Sequence, residues 1–287
     1  MSLISRLENK ARRNVTQANA LPSFSPDFLT ALVRQQDEQP EDARGVGGYV
    51  HVTALLDFCQ RRWSLIAKEI DNRPSLPKSA DRVMWAIGRA LEHHVRTQII
   101  ASVGRQSVYG LWKCPCGGLE VLGLGNSSSC NSCKREASIF HEVPVFDHEL
   151  KITGSPDLVL LHGSQGFRVV EIKSMNKKDF DLLQAPVPNH VFQVNSYRKM
   201  MLATGAVVCA EAIILYVAKD YSFKSPYKEF HVMPDDQMLT IDAMFEQVRQ
   251  LRATDERGQL PAKLAVCASV DSPFARRCPQ AVGCFSR

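Results

Sequence analysis

Gly154-Ser155-Pro156-Asp157-Leu158-Val159-Leu160, followed after a short turn by Val169-Val170-Glu171-Ile172-Lys173, is the stretch on which the reading of this chain turns. Each acidic residue lies in a strand-like apolar run, and Gly163-Ser164-Gln165-Gly166 supplies the turn between them. Alternate residues of a strand face the same way, so Glu171 and Lys173 share a face while Ile172 points into the core. A hairpin that sets Asp157 beside that face brings two carboxylates and one amine together. Phosphodiester hydrolysis with a divalent cation needs such a trio. Hard oxygen ligands hold Mg²⁺ or Mn²⁺, and a cationic side chain steadies the charge that develops on phosphorus. Taken alone, Glu-x-Lys is common as a solvated pair on an edge strand; Glu-x-Lys preceded by Pro-Asp on an apolar strand and followed by Gln-x-x-x-Tyr on a helix is far rarer.

Two further stretches extend the pattern. His190-Val191-Phe192-Gln193-Val194-Asn195-Ser196-Tyr197 places Gln193 and Tyr197 four apart, on one side of a helix. Upstream, Gly88-Arg89-Ala90-Leu91-Glu92 ends in an acidic residue, with His93 and His94 next. Asp157 with Glu171-Ile172-Lys173 resembles the signature of the PD-(D/E)XK nuclease superfamily. Gln193 and Tyr197 resemble the Gln-x-x-x-Tyr helix motif of its RecB-like exonuclease branch. Gly88 to Glu92 is similar to the Gly-x-x-x-(His/Glu) motif of the superfamily. RecB-like members usually carry His at the last position; here Glu92 fills it, and His93 is the alternative fourth site residue. The motifs occur in family order, over roughly residues 50 to 285.

The resemblance implies an α/β fold with a restriction-endonuclease-like core, a mixed sheet flanked by helices. It implies a Mg²⁺- or Mn²⁺-dependent deoxyribonuclease. Asp157, Glu171 and the Ile172 carbonyl would ligate the cation, and Glu92 would complete the site. Lys173 would orient the attacking water and stabilise charge, because a free lysine is protonated at neutral pH. Gln193 and Tyr197 would position the nucleotide. The implied substrate is single-stranded DNA or DNA ends, in recombination, repair, phage replication or CRISPR spacer acquisition. The implied partners are a helicase, a recombination protein or a CRISPR adaptation protein. Two other readings fit the same residues: a structure- or sequence-specific endonuclease of this fold, and a nonenzymatic DNA-binding or adaptor module.

Nine cysteines form the second signal. Cys114, Cys116, Cys130 and Cys133 make two close pairs around a Gly-, Asn- and Ser-rich segment that has little with which to build a core. Two thiolate pairs on tight turns are the ligand set of a structural zinc ribbon, with disulfides or free thiols as the alternatives. A closed structural site of this kind takes no part in catalysis. The stretch Asp57-Phe58-Cys59-Gln60-Arg61-Arg62-Trp63 resembles the cysteine–aromatic–arginine start of RecB-like nucleases that carry an iron–sulfur cluster. That resemblance implies a 4Fe–4S cluster on Cys59, Cys267, Cys278 and Cys284, although the gap after Cys267 is longer than that family's. Otherwise these are buried or incidental cysteines, or hold zinc. Cys209, in an apolar run, reads as a small core residue.

Composition is that of a globular protein: 45% hydrophobic and 23% charged residues over 287 positions. The odd cysteine count and metal-like spacings point to a reducing, cytoplasmic setting, and Met1 to Arg6 lacks the apolar core of a secretory signal. A net charge of +5 is modest. Lys177, Lys178, Arg198 and Lys199 flank the proposed site in sequence, where phosphate contacts belong. Met200 to Ala218 reads as a helix tail, a turn and a buried strand, not a membrane span.

The expected organisation is a polar extension over 1–48, then a nuclease domain over 49–287. Inside it lie a zinc-ribbon-like insertion at 111–138 and a cysteine-cluster segment at 255–287. Helices are expected near 52–70, 80–102, 188–203 and 236–253. Strands are expected near 139–146, 151–161, 167–174, 211–218 and 227–233. Trp63 and Trp85 read as core.

Overall fold

A computed structural model describes residues 49–56, 59–67, 79–125, 129–220, 225–234, 237–278 and 280–286. The chain divides into two compact units, Met1–Asp42 with Leu76–Arg82, and Ala43–Ser75 with Val83–Arg287. Of the first, the described residues hold only a helical turn at 79–82. The polar extension and Asp57-Phe58 lie outside them. The second unit carries the elements below.

In chain order these are β1 (Val50–His51), α1 (Gln60–Ala67), α2 (Ser79–Val103), β2 (Val108–Lys113), β3 (Glu120–Leu124), β4 (Ile139–His141), β5 (Val145–Asp147), β6 (Ile152–Gly154), β7 (Leu158–Leu161) and β8 (Phe167–Met175). There follow α3 (Lys177–Leu182), α4 (Pro188–Ala203), β9 (Ala212–Ala218), β10 (Tyr227–Val232), α5 (Gln237–Glu256), α6 (Pro273–Arg277) and α7 (Ala281–Phe285).

β8 and β9 run parallel at the centre of a mixed sheet ordered β10-β9-β8-β7-β2-β3, with β4 on β2; a small sheet is ordered β1-β6-β5. Both faces of the large sheet are covered, which is why β9, Ala-Ile-Ile-Leu-Tyr-Val-Ala, reads as a near-continuous apolar run. On one face Leu158, Val170, Ile172 and Val217 pack with Val95 of α2. On the other, Ile214 and Tyr216 pack with Val194 and Met200 of α4 and with Ile241 and Phe245 of α5. This mixed sheet between helices is the restriction-endonuclease-like architecture expected above.

Local signals account for the helix ends. The Asn176 side chain caps α3 by accepting the Asp179 N–H at 3.0 Å. Pro188 opens α4, where its missing N–H costs nothing. Gly205, at φ +81°, follows its end.

Three expectations about elements need correction. The helix expected over 52–70 is a 3₁₀ turn, Val52–Leu55, and a separate helix from Gln60. His51 caps the turn by accepting the Thr53 N–H, and Val52 and Leu55 are buried at the i, i+3 spacing of a 3₁₀ turn. The strand expected over 139–146 is β4 and β5, in different sheets, and that over 151–161 is β6 and β7, again in different sheets. Pro144 and Pro156 sit in the two breaks, where a missing N–H ends a ladder. Trp63 is buried, but Trp85 is 53% exposed, in the exposed stretch of α2 that precedes the buried Gly88.

Candidate active site

Both proline breaks leave a carboxylate at the end of a strand, and that sets up the site. β7 starts only at Leu158, so its ladder with β8 ends at the Leu158–Val170 pair while β8 runs on to Met175. Past that pair the edge of β8 is free of β7, and the Asp157 side chain takes its place. Asp157 Oδ2 accepts the Ile172 N–H at 2.7 Å. The N–H and C=O of one strand residue point to the same neighbour, so the Ile172 carbonyl is also directed to the Asp157 side.

Glu171 and Lys173 share the α4 face of the sheet, and Lys173 Nζ lies 2.6 Å from Glu171 Oε1. The same Oε1 accepts a hydrogen bond from Gln193 Nε2 at 2.7 Å. Gln193 Nε2 also donates to the Tyr197 hydroxyl at 2.6 Å. Both amide protons of Gln193 are thereby used, and the Tyr197 proton is left to point elsewhere. Glu171 Oε2 is buried and has no hydrogen-bond partner. A buried carboxylate oxygen left orphaned is costly unless something else binds it.

Glu92 lies on the opposite face. Its Oε1 accepts the Ser174 N–H at 3.1 Å and the Ser174 hydroxyl at 2.9 Å. His93 is exposed, 3.4 Å from Arg96 Nη2.

Two neighbours escaped the sequence reading. Arg96 is one helical turn beyond Glu92 on α2. Its Nη1 pairs with Glu142 and stands 3.6 Å from Asp157 Oδ1. Glu142 lies in the other proline break, Glu142-Val143-Pro144. An acidic residue beside a proline in an apolar run, repeated at Pro156-Asp157, is the signal that could have found it.

The charges are strongly coupled. Burial, reinforced by the Glu171 charge, pushes the Asp157 carboxyl well above the usual carboxylate range. Burial also raises Glu171, against the pull of the Lys173 ammonium. Burial opposes the charge on Lys173, but Glu171, Asp157 and Glu92 outweigh it, so the lysine is held above its ordinary value and stays protonated. Burial and the Glu171 charge keep Tyr197 protonated as well. These residues fit a divalent cation: crowded carboxylates, a buried oxygen without a partner, and a carbonyl directed to the same side.

Of the flanking basic residues, Arg198 is structural. It is buried and bonded to the Cys209 carbonyl at 3.0 Å and Asn195 Oδ1 at 2.8 Å. Lys177 pairs with Asp181 and Lys199 with Asp242.

The first cysteine set forms one centre. Cys114 Sγ lies 3.4 Å from Cys116 and 3.3 Å from Cys133, and Cys116 lies 3.5 Å from Cys130. All four sulfurs are within 4.8 Å of one another and can hold a metal ion. A tetrahedral ion with metal–sulfur bonds of about 2.3 Å sets its sulfurs about 3.8 Å apart. Gly117, at φ +75°, and Lys134, at φ +61°, close the two turns. The Cys133 and Ser132 N–H groups draw the Cys130 thiol down to about 6.

The second set lines one small pocket, with Cys59, Cys267, Cys278 and Cys284 around it. Arg61 spans it from α1 to the C-terminal segment. Its Nε donates to Cys284 Sγ at 3.2 Å, and its Nη1 to the Pro261 carbonyl at 2.8 Å. Among the described residues, only the first set gathers as tightly as a single ion requires. Cys209 is buried, as expected. No described helix is long and apolar enough to cross a membrane.

No family model matches this chain, and no curated protein sequence does. Solved structures resemble it at low identity, among them the three that follow. The alkaline exonuclease LHK-Exo from Laribacter hongkongensis is 16% identical, with a TM-score of 0.42, covering 78% of this chain and 95% of that one. Its complex with dAMP gives 17% and 0.42, covering 73% and 91%. SSO0001 gives 15% and 0.37, covering 91% and 97%.

Proposed function

We propose that this chain is a divalent-cation-dependent DNA nuclease, a RecB-like exonuclease acting on single strands or ends. The observation that carries this reading is the buried Glu171. Lys173 and Gln193 hold one of its oxygens in place, and the other is orphaned on the side of the sheet facing α4.

Asp157, Glu171 and the Ile172 carbonyl hold Mg²⁺ or Mn²⁺. When bound, the cation neutralises the carboxylates, polarises the scissile phosphate and makes water a stronger nucleophile. Lys173 acts as a fixed positive charge toward the phosphoryl oxygens, not as a base, because its neighbours keep it protonated. Gln193 orients Glu171, and the Tyr197 hydroxyl donates toward the nucleotide. Arg96, close to Glu142 and Asp157, lies where a backbone phosphate would arrive. Glu92 buttresses β8 through Ser174 and completes the acidic surround.

The first cysteine set holds structural zinc, and the second a 4Fe–4S cluster. The wider spacing of the second set and the Arg61 N–H···S bond suit a cluster better than a single ion.

The test is cleavage of linear and circular single-stranded DNA with Mn²⁺, using wild type and Glu171→Ala. Release of nucleotides from the linear strand alone is the expected result. Cutting of the circle would favour an endonuclease, and no cleavage of either would favour an adaptor.

A further inference from the structure

His190 stands in the first turn of α4, three residues before Gln193 and seven before Tyr197, so the three share one stripe of the helix. The same stripe delivers Gln193 to Glu171. In the β8–β9 ladder Lys173 is the partner of Tyr216. Paired residues of neighbouring strands present their side chains on the same face. The Tyr216 hydroxyl lies 2.8 Å from His190 Nδ1, which sets the imidazole over the Lys173 end of the site.

Tyr216 is fully buried, and its oxygen accepts the Val187 N–H at 2.8 Å. The hydroxyl proton needs an acceptor of its own, and His190 Nδ1 is the one in reach. An Nδ1 that accepts leaves the ring proton on Nε2. The ring is half-buried, and burial together with the Lys173 charge draws its pKa down to about 4.

We propose that His190 is a further member of the site, a neutral donor whose Nε2–H contacts a phosphate oxygen of the bound strand, with Tyr216 fixing its tautomer. The proposal deepens the nuclease reading and rests on it. A neutral donor adds a hydrogen bond beside the Lys173 charge without adding a cation to compete with the metal. Tyr216 is a positioning residue that acts through His190.

Two measurements test this. Nitrogen chemical shifts of histidine-labelled wild type at pH 7 should show an acceptor-type Nδ1 and a protonated Nε2 on His190. A protonated Nδ1 overturns the proposal. In single-turnover cleavage of linear single-stranded DNA with Mn²⁺, His190→Leu should be slower by roughly 10²-fold. Its Mn²⁺ affinity should match that of wild type. His190→Gln, whose amide nitrogen replaces Nε2–H, should recover to within about tenfold of wild type, as expected for a restored donor. His190→Asn, which reaches only the Nδ1 position, should not.

Equal rates for His190→Leu and wild type, or no recovery in His190→Gln, overturn the proposal alone. A wild type that cuts no strand overturns the nuclease reading and this proposal with it. Should His190→Leu fail to fold, Tyr216→Phe gives the same reading. It should scramble the His190 tautomer and slow cleavage, and an unchanged tautomer with an unchanged rate would overturn the proposal.

Discussion

Asp157 and Glu171 are carboxylates taken out of water: burial raises the proton affinity of both, and the Glu171 charge raises that of Asp157 further. A carboxylate whose pKa is raised in the folded state favours folding at low pH and loses that contribution as pH rises above its ordinary value near 3.8. Metal-free protein at neutral pH therefore carries a stability deficit at this site. Asp157→Asn keeps the acceptor for the Ile172 N–H and removes the charge. Its melting temperature in the absence of metal should exceed that of wild type by a margin that grows with pH above 4. Each kcal/mol of relief corresponds to about 2–4 °C in a chain of this size. Added Mn²⁺ should stabilise wild type and not the variant; a margin flat in pH would show that the carboxylate is not under this stress. Cleavage separates the roles of the neighbours. Glu171→Ala should abolish both activity and tight metal binding. Lys173→Ala should lose roughly 10²–10³-fold in rate while still binding metal, as for removal of a charge that acts mainly in the transition state. The double variant should be little worse than Glu171→Ala, because the residues act as a unit. Near wild-type rates in Glu171→Ala would sink the assignment.

At the scale of elements, β6 bears most directly on the site. Gly154 of β6 faces the Tyr197 ring so closely that a Cβ there would lie 2.3 Å from Cε1. A rigid aromatic ring cannot yield to that as a flexible side chain would, so Gly154→Ala must push α4 or rotate Tyr197. The expected cost is about 1–3 kcal/mol in unfolding free energy, as for other overpacked cores. The disturbance should pass through Gln193 to Glu171. Cleavage should drop although no side chain of the site has been changed, and a variant as stable and active as wild type would show that the approach is relaxed. The first cysteine set makes a separate prediction. Purified protein should carry about one zinc, the stoichiometry of a four-ligand site. Cys130→Ser should lower zinc content and loosen the pairing of β2 with β3, leaving the iron content as it was. Zinc retained after replacement of all four cysteines would show the ligands to be elsewhere.

At the scale of the whole second unit, α1 is tied to the C-terminal segment. Arg61 of α1 bonds to Cys284 across 223 residues of chain, at the cavity that Cys59 shares with the three late cysteines. A cluster there would close a loop enclosing both sheets and the helices packed on them. A covalent link across a loop of that length is worth about 5 kcal/mol on the chain-entropy scale. Protein purified without oxygen should be brown and contain about four irons, the content of one such cluster. Cys59→Ala should bleach it and lower the melting temperature by about 10 °C or more, from that loop term. Cleavage would then fail through unfolding, unlike in Lys173→Ala. A colourless, iron-free protein in which Cys59→Ala is as stable as wild type would make these cysteines ordinary packing residues.

Local sequence patterns, a property of neighbours in the chain, were enough to place β8, α4 and β9 and to set Glu171 and Lys173 on one face. The spacing of Gln193 and Tyr197 was equally local, as was the pairing within each cysteine turn. Pro144 and Pro156 were visible too, but whether a proline kinks one strand or sends its halves into different sheets depends on what each half then pairs with. That choice belongs to the tertiary structure, and it delivers Asp157 and Glu142 to the strand ends. Arg96, Glu142 and His190 come to the candidate site in the same way. Each is an ordinary residue in its own segment, and each is brought in by the register of β8 with β7 and β9 and by the docking of α2 and α4. A side chain's face is set by the few bonds around it, so a short sequence encodes it. Which faces meet is set by packing summed over segments far apart in the chain, and only the assembled fold holds that sum.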